Sequence, residues 1–113
     1  MEKIVEQGLL YDFYGELLTE HQKQIYEAAV YNDMSLTEIA DEHGISKQGV
    51  HDLIKRCTKT LQSYEDKLHM IRRFEAIKAK AEELNKASAT EMDATELRKI
   101  AQHISEDILE ELT

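Results

Sequence analysis

Polar and basic side chains recur between positions 46 and 59 of this 113-residue sequence, at intervals that place them on the outer side of one helix. Amine and amide groups at the start of such a helix can pair with the base edges of DNA. Lysine and arginine further along can bind phosphates. We therefore predict a DNA-binding face made of Ser46, Lys47, Gln48, His51, Asp52, Lys55, Arg56 and Lys59.

The positions within this face predict different roles. Lys47 and Gln48 stand where a helix in the major groove reads bases, because lysine approaches guanine acceptors and glutamine pairs with adenine at two atoms. Gly49 has no side chain and is expected to permit close approach to the DNA. Asp52 lies one turn past Gln48, where it either accepts a hydrogen bond from a cytosine amine or repels the backbone. The phosphate contacts are assigned to Lys55, Arg56 and Lys59.

Residues 35–61 carry the signals of a helix, a tight turn and a second helix. Ser35 and Glu38 form the capping-box pattern that begins a helix. Gly44 supplies the left-handed conformation that ends it, and Ser46 caps the next helix. The inward positions of that second helix are Val50, Leu53, Ile54, Cys57 and Leu61. This pattern predicts a helix-turn-helix motif whose second helix carries the DNA-binding face.

The rest of the sequence also favours helices, since it has no proline and only four glycines. Before the motif, Thr19 is positioned to cap a helix that carries Ile25 and Tyr26 on its apolar side. An apolar stripe predicts an earlier helix that packs inward through Ile4, Val5, Leu9, Leu10, Phe13, Tyr14, Leu17 and Leu18.

After the motif, an apolar stripe from Tyr64 to Leu84 predicts a long helix that needs a partner surface. Residues 86–94 are small and polar and form a link, and Asp93 caps a terminal amphipathic helix. We expect an all-α protein with a helix-turn-helix domain over residues 1–68. A helical extension over 69–113 is expected to act as a dimerisation arm, giving a homodimer through the C-terminal helices.

Charge is distributed unevenly along the chain, whose formal net charge is −9. Residues 1–43 carry 2 basic and 10 acidic side chains, residues 44–80 carry 9 and 4, and residues 81–113 carry 3 and 9. A locally positive surface can therefore exist on an acidic protein. One hypothesis from this order is that the acidic C-terminal arm masks the basic helix.

Several classes of function find no support in the sequence. The five histidines never pair at a spacing of four, and Cys57 is the single cysteine, so we expect no metal site, no cofactor and no disulfide. No phosphate-binding glycine loop or nucleophile motif occurs, which predicts a protein that is not an enzyme. No stretch is long and apolar enough to enter a membrane, so we expect a cytoplasmic protein. A helical packing unit with a merely solvated lysine-rich face remains an alternative.

Two family resemblances rest on specific residues. The sequence resembles region four of bacterial sigma factors in Leu18-Thr19, Ser35-Leu36-Thr37-Glu38-Ile39-Ala40, Gly44-Ile45-Ser46, Val50 and Leu61. It resembles the YlxM-like helix-turn-helix proteins, over about residues 9–68, in Tyr11-Asp12-Phe13-Tyr14, Leu17-Leu18-Thr19, Gln22, Asp33, Ser46-Lys47-Gln48-Gly49-Val50, Asp52, Ile54-Lys55-Arg56, Tyr64-Glu65 and Lys67-Leu68.

The YlxM-like resemblance implies a small bacterial cytosolic protein whose gene lies near those of the signal recognition particle and its receptor. It implies a DNA-binding regulatory protein that takes part in this targeting pathway. The alternative is an interaction protein that does not bind DNA and modulates the RNA or the GTPase of the particle. The sigma resemblance places base reading at Lys47, Gln48 and Asp52. Gly49, His51 and Asp52 depart from the residues expected at those positions of a sigma factor.

Overall fold

The computed structural model describes residues 3–113, and every regular element in that part of the chain is helical. A 3₁₀ turn over Gly15–Leu17 follows the first helix. The α-helices are α1 (Lys3–Tyr14), α2 (Glu20–Val30), α3 (Leu36–His43), α4 (Lys47–Leu68), α5 (Met70–Ser88) and α6 (Ala94–Leu112). The all-α prediction with a helix-turn-helix is therefore confirmed. None of the described helices is long and apolar enough to cross a membrane.

The chain forms two compact units, one ending at His69 and the other spanning Met70–Thr113. The core of the first unit is a cluster of buried apolar side chains from α2, α3 and α4: Ile25, Ala28, Ile39, Ala40 and Val50. Full burial of an isoleucine or valine side chain contributes roughly 1.5 to 3 kcal/mol. Because the cluster joins three helices, it fixes α3 against α4 and thereby sets the geometry of the motif.

Polar contacts tie α1 and α2 to the middle of α4. The Thr58 hydroxyl donates to the Ile54 carbonyl at 2.9 Å, so the Tyr26 hydroxyl, 2.8 Å away, acts as the donor to Thr58. The Gln7 amide also donates to Thr58, at 3.3 Å. One turn from the end of α4, the Tyr14 hydroxyl donates to a Glu65 carboxylate oxygen at 2.6 Å. These bonds hold α1 along α4.

The first apolar stripe is only partly buried, and the expectation that all of it packs inward is wrong. Leu10, Tyr14 and Leu18 are buried, whereas Ile4 and Leu17 are exposed, the latter by 58%. Val5 is exposed as well. The α-helix ends at Tyr14 and the chain continues as a 3₁₀ turn, in which side chains repeat every three residues and leave the α-helical face.

The predicted long helix is divided into α4 and α5 at His69. His69 adopts a left-handed backbone conformation with φ of 53°, and its N–H donates to the Glu65 carbonyl at 2.8 Å. This conformation costs roughly 1 to 2 kcal/mol for a residue with a Cβ, although histidine occupies it more often than most residues do. Neither glycine nor proline marks the break, and the apolar spacing continues across it. The sequence pattern therefore predicted one long helix.

The second unit is a pair of helices joined by a short link at residues 89–93. The Asp93 side chain accepts from the Thr95 and Glu96 N–H groups at 2.7 and 3.1 Å, which confirms the predicted cap of α6. Ile104 is buried, and Lys80 of α5 pairs with Asp107 of α6 at 3.2 Å. No residue of α5 is buried, and the α6 leucines at 109 and 112 are exposed.

Candidate nucleic-acid interface

The turn between α3 and α4 has the conformation that the sequence predicts. Gly44 has φ of +66°, in the left-handed region, and its N–H donates to the Ala40 carbonyl. The Ile45 N–H donates to the same carbonyl at 3.1 Å. Because two donors close the last turn of α3, the helix ends here and α4 begins after only three residues.

Replacing Gly44 by alanine is expected to lower the free energy of unfolding by about 1 to 2 kcal/mol. A Cβ at this position would meet nothing within 4 Å, so the whole cost comes from backbone strain. Urea denaturation followed by near-ultraviolet circular dichroism of the tyrosines measures it. Gly44→Asn is the matched control, since asparagine tolerates the left-handed conformation and should lose less stability. Equal losses in both variants would contradict this explanation.

The start of α4 gives Gly49 a role within the chain. The Ser46 hydroxyl accepts from the Gly49 N–H at 2.9 Å, which confirms Ser46 as the helix cap. A Cβ on residue 49 would lie 3.0 Å from that hydroxyl oxygen, closer than most Cβ contacts in proteins. Glycine therefore keeps the cap unstrained, a reason that the sequence alone did not suggest.

All eight predicted site residues are exposed in the structure. Among the described residues, no carboxylate lies within 4.0 Å of the charged groups of Lys47, Lys55, Arg56 or Lys59. The opposite side of α4 is inward as predicted, with Val50, Cys57 and Leu61 buried. Burial raises the pKa of the Cys57 thiol, which suits an apolar packing role and not a reactive thiolate. Because no carboxylate among the described residues pairs with them, the four cations of the face are available to an external anion.

Asp52 accepts a hydrogen bond from one neighbour on the same face and lies close to a second. The Gln48 amide nitrogen donates to Asp52 Oδ1 at 3.0 Å, and His51 Nδ1 lies 3.7 Å from the same oxygen. The spacing of four residues brings Gln48 and Asp52 together on the helix surface. The Gln48 amide nitrogen can pair with adenine only if its bond to Asp52 opens. The Gln48 carbonyl oxygen takes no part in that bond.

Two open grooves border this face. One, of about 470 Å³, runs between α1 and α4, and its lining includes Lys3, Gln7 and Leu36 together with residues of the predicted face. The other, of about 390 Å³, is lined by Leu36, Lys47, Gln48 and His51. Lys3 and Gln7 were not predicted as part of this surface. They lie about forty positions before the start of α4 and carry no motif, and only the packing of α1 brings them to this surface.

Tyrosine and carboxylate side chains pair on the outer surface of α1 and α2. The Tyr11 hydroxyl donates to Glu27, and the Tyr31 hydroxyl donates to Asp12. Partial burial, followed by the bond to Asp12, raises the pKa of Tyr31 to about 12. Neither tyrosine lines the two grooves, so this surface is separate from the basic face.

Comparison with known proteins places the chain among helix-turn-helix proteins. A family model described as "Putative helix-turn-helix protein, YlxM / p13 like" matches residues 1–104. A UPF0122 protein of Thermoanaerobacter sp. is 41% identical over 106 residues, which cover 90% of each chain. A UPF0122 protein of Acetivibrio thermocellus is 40% identical over 113 residues, covering 94% of this chain and 97% of the relative. The UPF0122 protein YofM of Lactococcus lactis is 41% identical over 103 residues, covering 90% and 93%.

Proposed function

The chain belongs to the UPF0122 family of YlxM/p13-like helix-turn-helix proteins, and from that premise we propose that it is a regulatory protein that binds double-stranded DNA through α4. The observation that carries the proposal is the exposed face of α4, whose four cations have no carboxylate partner among the described residues. Free amines and guanidinium groups on one helix side are what phosphate binding requires.

The geometry supports a division of roles along α4. In helix-turn-helix complexes the N-terminal part of the second helix enters the major groove. Lys47 and Gln48 occupy that part and would contact base edges, with His51 and Asp52 one turn further. Ser46 caps the helix, and the N–H groups of its first turn would bind a phosphate. The remaining contacts, to phosphates flanking the groove, fall to Lys55, Arg56 and Lys59.

A fluorescence anisotropy titration of the full chain against labelled duplex DNA tests the proposal. Three phosphate contacts from Lys55, Arg56 and Lys59 predict that log K falls with log salt with a slope of about −2.7. A pool of random duplexes measures non-specific binding, and selection from that pool supplies a specific site. Absence of binding to any duplex at low salt would reject the proposal.

Asp52→Asn is expected to raise DNA affinity about threefold to tenfold at low salt, because it removes a negative charge from the face that meets the phosphates. The gain should shrink as salt increases. Asp66→Asn is a matched control: Gln62 donates to Asp66 at 2.9 Å in the same arrangement, fourteen positions further along α4. An equal gain in both variants would point to net charge and would contradict a role for Asp52 in the interface.

The second unit supports a homodimer as the form that binds DNA. Ile104 is the buried residue of α6, and α5 has none. Apolar side chains from both helices, among them Leu84, Leu97 and Ile108, line a groove of about 490 Å³. A two-helix unit of this size buries little apolar surface, which favours further packing. A second copy would cover this groove and would let two motifs address half-sites about 34 Å apart. Sedimentation equilibrium at micromolar concentration tests the dimer, and a purely monomeric chain would reject it.

A second candidate function is an interaction protein of the signal recognition particle that acts on its RNA or its GTPase. Asp52 within the basic face favours this candidate, since a carboxylate opposes contact with a DNA backbone. For both candidate functions, the proposed pathway is protein targeting by the signal recognition particle. Co-purification from lysate that is untreated, treated with DNase or treated with RNase separates the two. A protein partner retained after both treatments, or an RNA partner lost only with RNase, favours the interaction protein, whereas loss of the partner only with DNase favours DNA binding.

A further inference from the structure

The two grooves beside α4 adjoin each other, because Leu36 and His51 line both of them. Together they make a depression along α4 that extends from Lys47 to Lys59, a distance of about 18 Å at 1.5 Å per residue. Lys3 and Gln7 of α1 form its opposite side over part of that length. We refer to this depression as the α1–α4 groove.

The α1–α4 groove combines a basic rim with an apolar floor. Lys55 and Lys59 stand one helical turn apart on one side, and Lys3 stands on the other. Leu36 and Ile54 are half-buried at the base, and their remaining apolar surface faces the groove. Acidic residues are missing from the lining of both parts of the groove within residues 3–113.

We propose that the α1–α4 groove binds an acidic amphipathic helix of a protein partner. A helix of this kind places apolar side chains on one face and carboxylates beside them, which matches an apolar floor between lysines. A DNA backbone uses the lysines but gains nothing from Leu36 and Ile54, because phosphates and sugars present no large apolar side chain. About 12 residues of helix span the 18 Å of the groove.

Binding of such a helix would regulate the function proposed above. Lys55 and Lys59 serve both the groove and the proposed phosphate contacts, so an acidic helix and a DNA duplex compete for them. This consequence rests on the proposed DNA binding. Binding of the helix itself does not depend on DNA.

The test uses the full chain and a fluorescein-labelled synthetic peptide of about 14 residues. The peptide carries leucines at helical spacing on one face and only glutamate or aspartate elsewhere. A second peptide has serine in place of every leucine and the same charge. Anisotropy titrations are expected to show at least tenfold tighter binding of the leucine peptide, and the leucine peptide should displace labelled duplex DNA.

Substitutions in the chain then locate the site. Lys55→Gln with Lys59→Gln is expected to weaken binding of the leucine peptide about tenfold, and Lys3→Gln about threefold. Lys3→Gln should leave DNA affinity within about twofold, because Lys3 lies on α1 and not on α4, which carries the proposed DNA contacts. Arg56→Gln is the matched control for the peptide, since Arg56 lines neither part of the groove. Near-ultraviolet circular dichroism confirms that each variant is folded.

The outcomes separate this inference from the DNA-binding proposal. Equal binding of the two peptides would overturn the inference, because the groove would then recognise charge alone. Failure of the leucine peptide to bind a chain that still binds DNA would also overturn it and would leave the DNA-binding proposal intact. Peptide binding that depends on Lys3 and Lys55, in a chain that binds no duplex, would support the inference and reject DNA binding.

Discussion

Replacing Lys55 and Lys59 together by glutamine is expected to weaken binding to duplex DNA about 60-fold at about 0.1 M salt. Each lost phosphate contact removes about 0.9 from the slope of log K against log salt, so the double variant loses about 1.8. If wild type and variant have equal affinities at about 1 M salt, a slope difference of about 1.8 makes the variant about 60-fold weaker at about 0.1 M salt. Anisotropy titrations at several salt concentrations measure both quantities.

A control must separate this face from the overall charge of the chain. Lys86→Gln with Lys99→Gln makes the same change in net charge at two exposed lysines of the second unit. This variant should change DNA affinity by less than about threefold, because neither lysine belongs to the proposed DNA-binding face and salt weakens the effect of charges outside it. An equal loss in both double variants would mean that DNA responds to net charge and not to the α4 face.

A net charge of −9 is compatible with a local binding face because the charges are segregated. The four cations of the α4 face have no carboxylate within ion-pair distance among the described residues, whereas Lys23 and Lys80 pair with Glu16 and Asp107. Screening limits the reach of acidic groups elsewhere on the chain, so the nearest charges decide the potential at a phosphate. Asp52 is the acidic group on the face itself. Its substitution therefore tests the interface more directly than the substitution of an acidic residue elsewhere on the chain.

Local signals in the sequence predicted the starts of α2, α3, α4 and α6 correctly. The caps at Thr19, Ser35, Ser46 and Asp93 each involve a side chain and a backbone N–H two or three residues later, and all four are present. The left-handed Gly44 is equally local, since only residues 40–45 take part in its bonds. These features follow from neighbours in the chain, so sequence alone could specify them.

Features that depend on distant packing were not predicted. The apolar stripe of α1 indicated an inward face, but which of its residues are covered depends on where α2 and α4 lie. The break at His69 has no glycine or proline signal. On the functional side, the outward residues of α4 followed from helical periodicity, whereas the groove wall at Lys3 and Gln7 required the contact between α1 and α4. Periodicity gives the face of one helix and not the surface formed by two.

Leu61→Ala is expected to lower the free energy of unfolding of the first unit by about 2 to 5 kcal/mol. Leu61 is 0% exposed on the inward side of α4, so the substitution removes apolar burial and leaves a cavity. A unit of this size has a total stability of roughly 3 to 10 kcal/mol, so the variant loses a large share of it. The five tyrosines all lie before His69, and the chain has no tryptophan. Tyrosine fluorescence during urea denaturation therefore reports the first unit alone.

Leu17→Ala supplies the matched control, because the chemical change is the same and the sequence pattern assigned both leucines to an inward side. Leu17 is 58% exposed in the structure, so its substitution should cost no more than about 0.5 kcal/mol. Far-ultraviolet circular dichroism, which follows both units, should show the larger loss only in the transition that coincides with the tyrosine signal. Similar losses for Leu17→Ala and Leu61→Ala would mean that Leu17 is covered as the periodicity of the first apolar stripe predicts, and that the 3₁₀ turn after Tyr14 does not expose it.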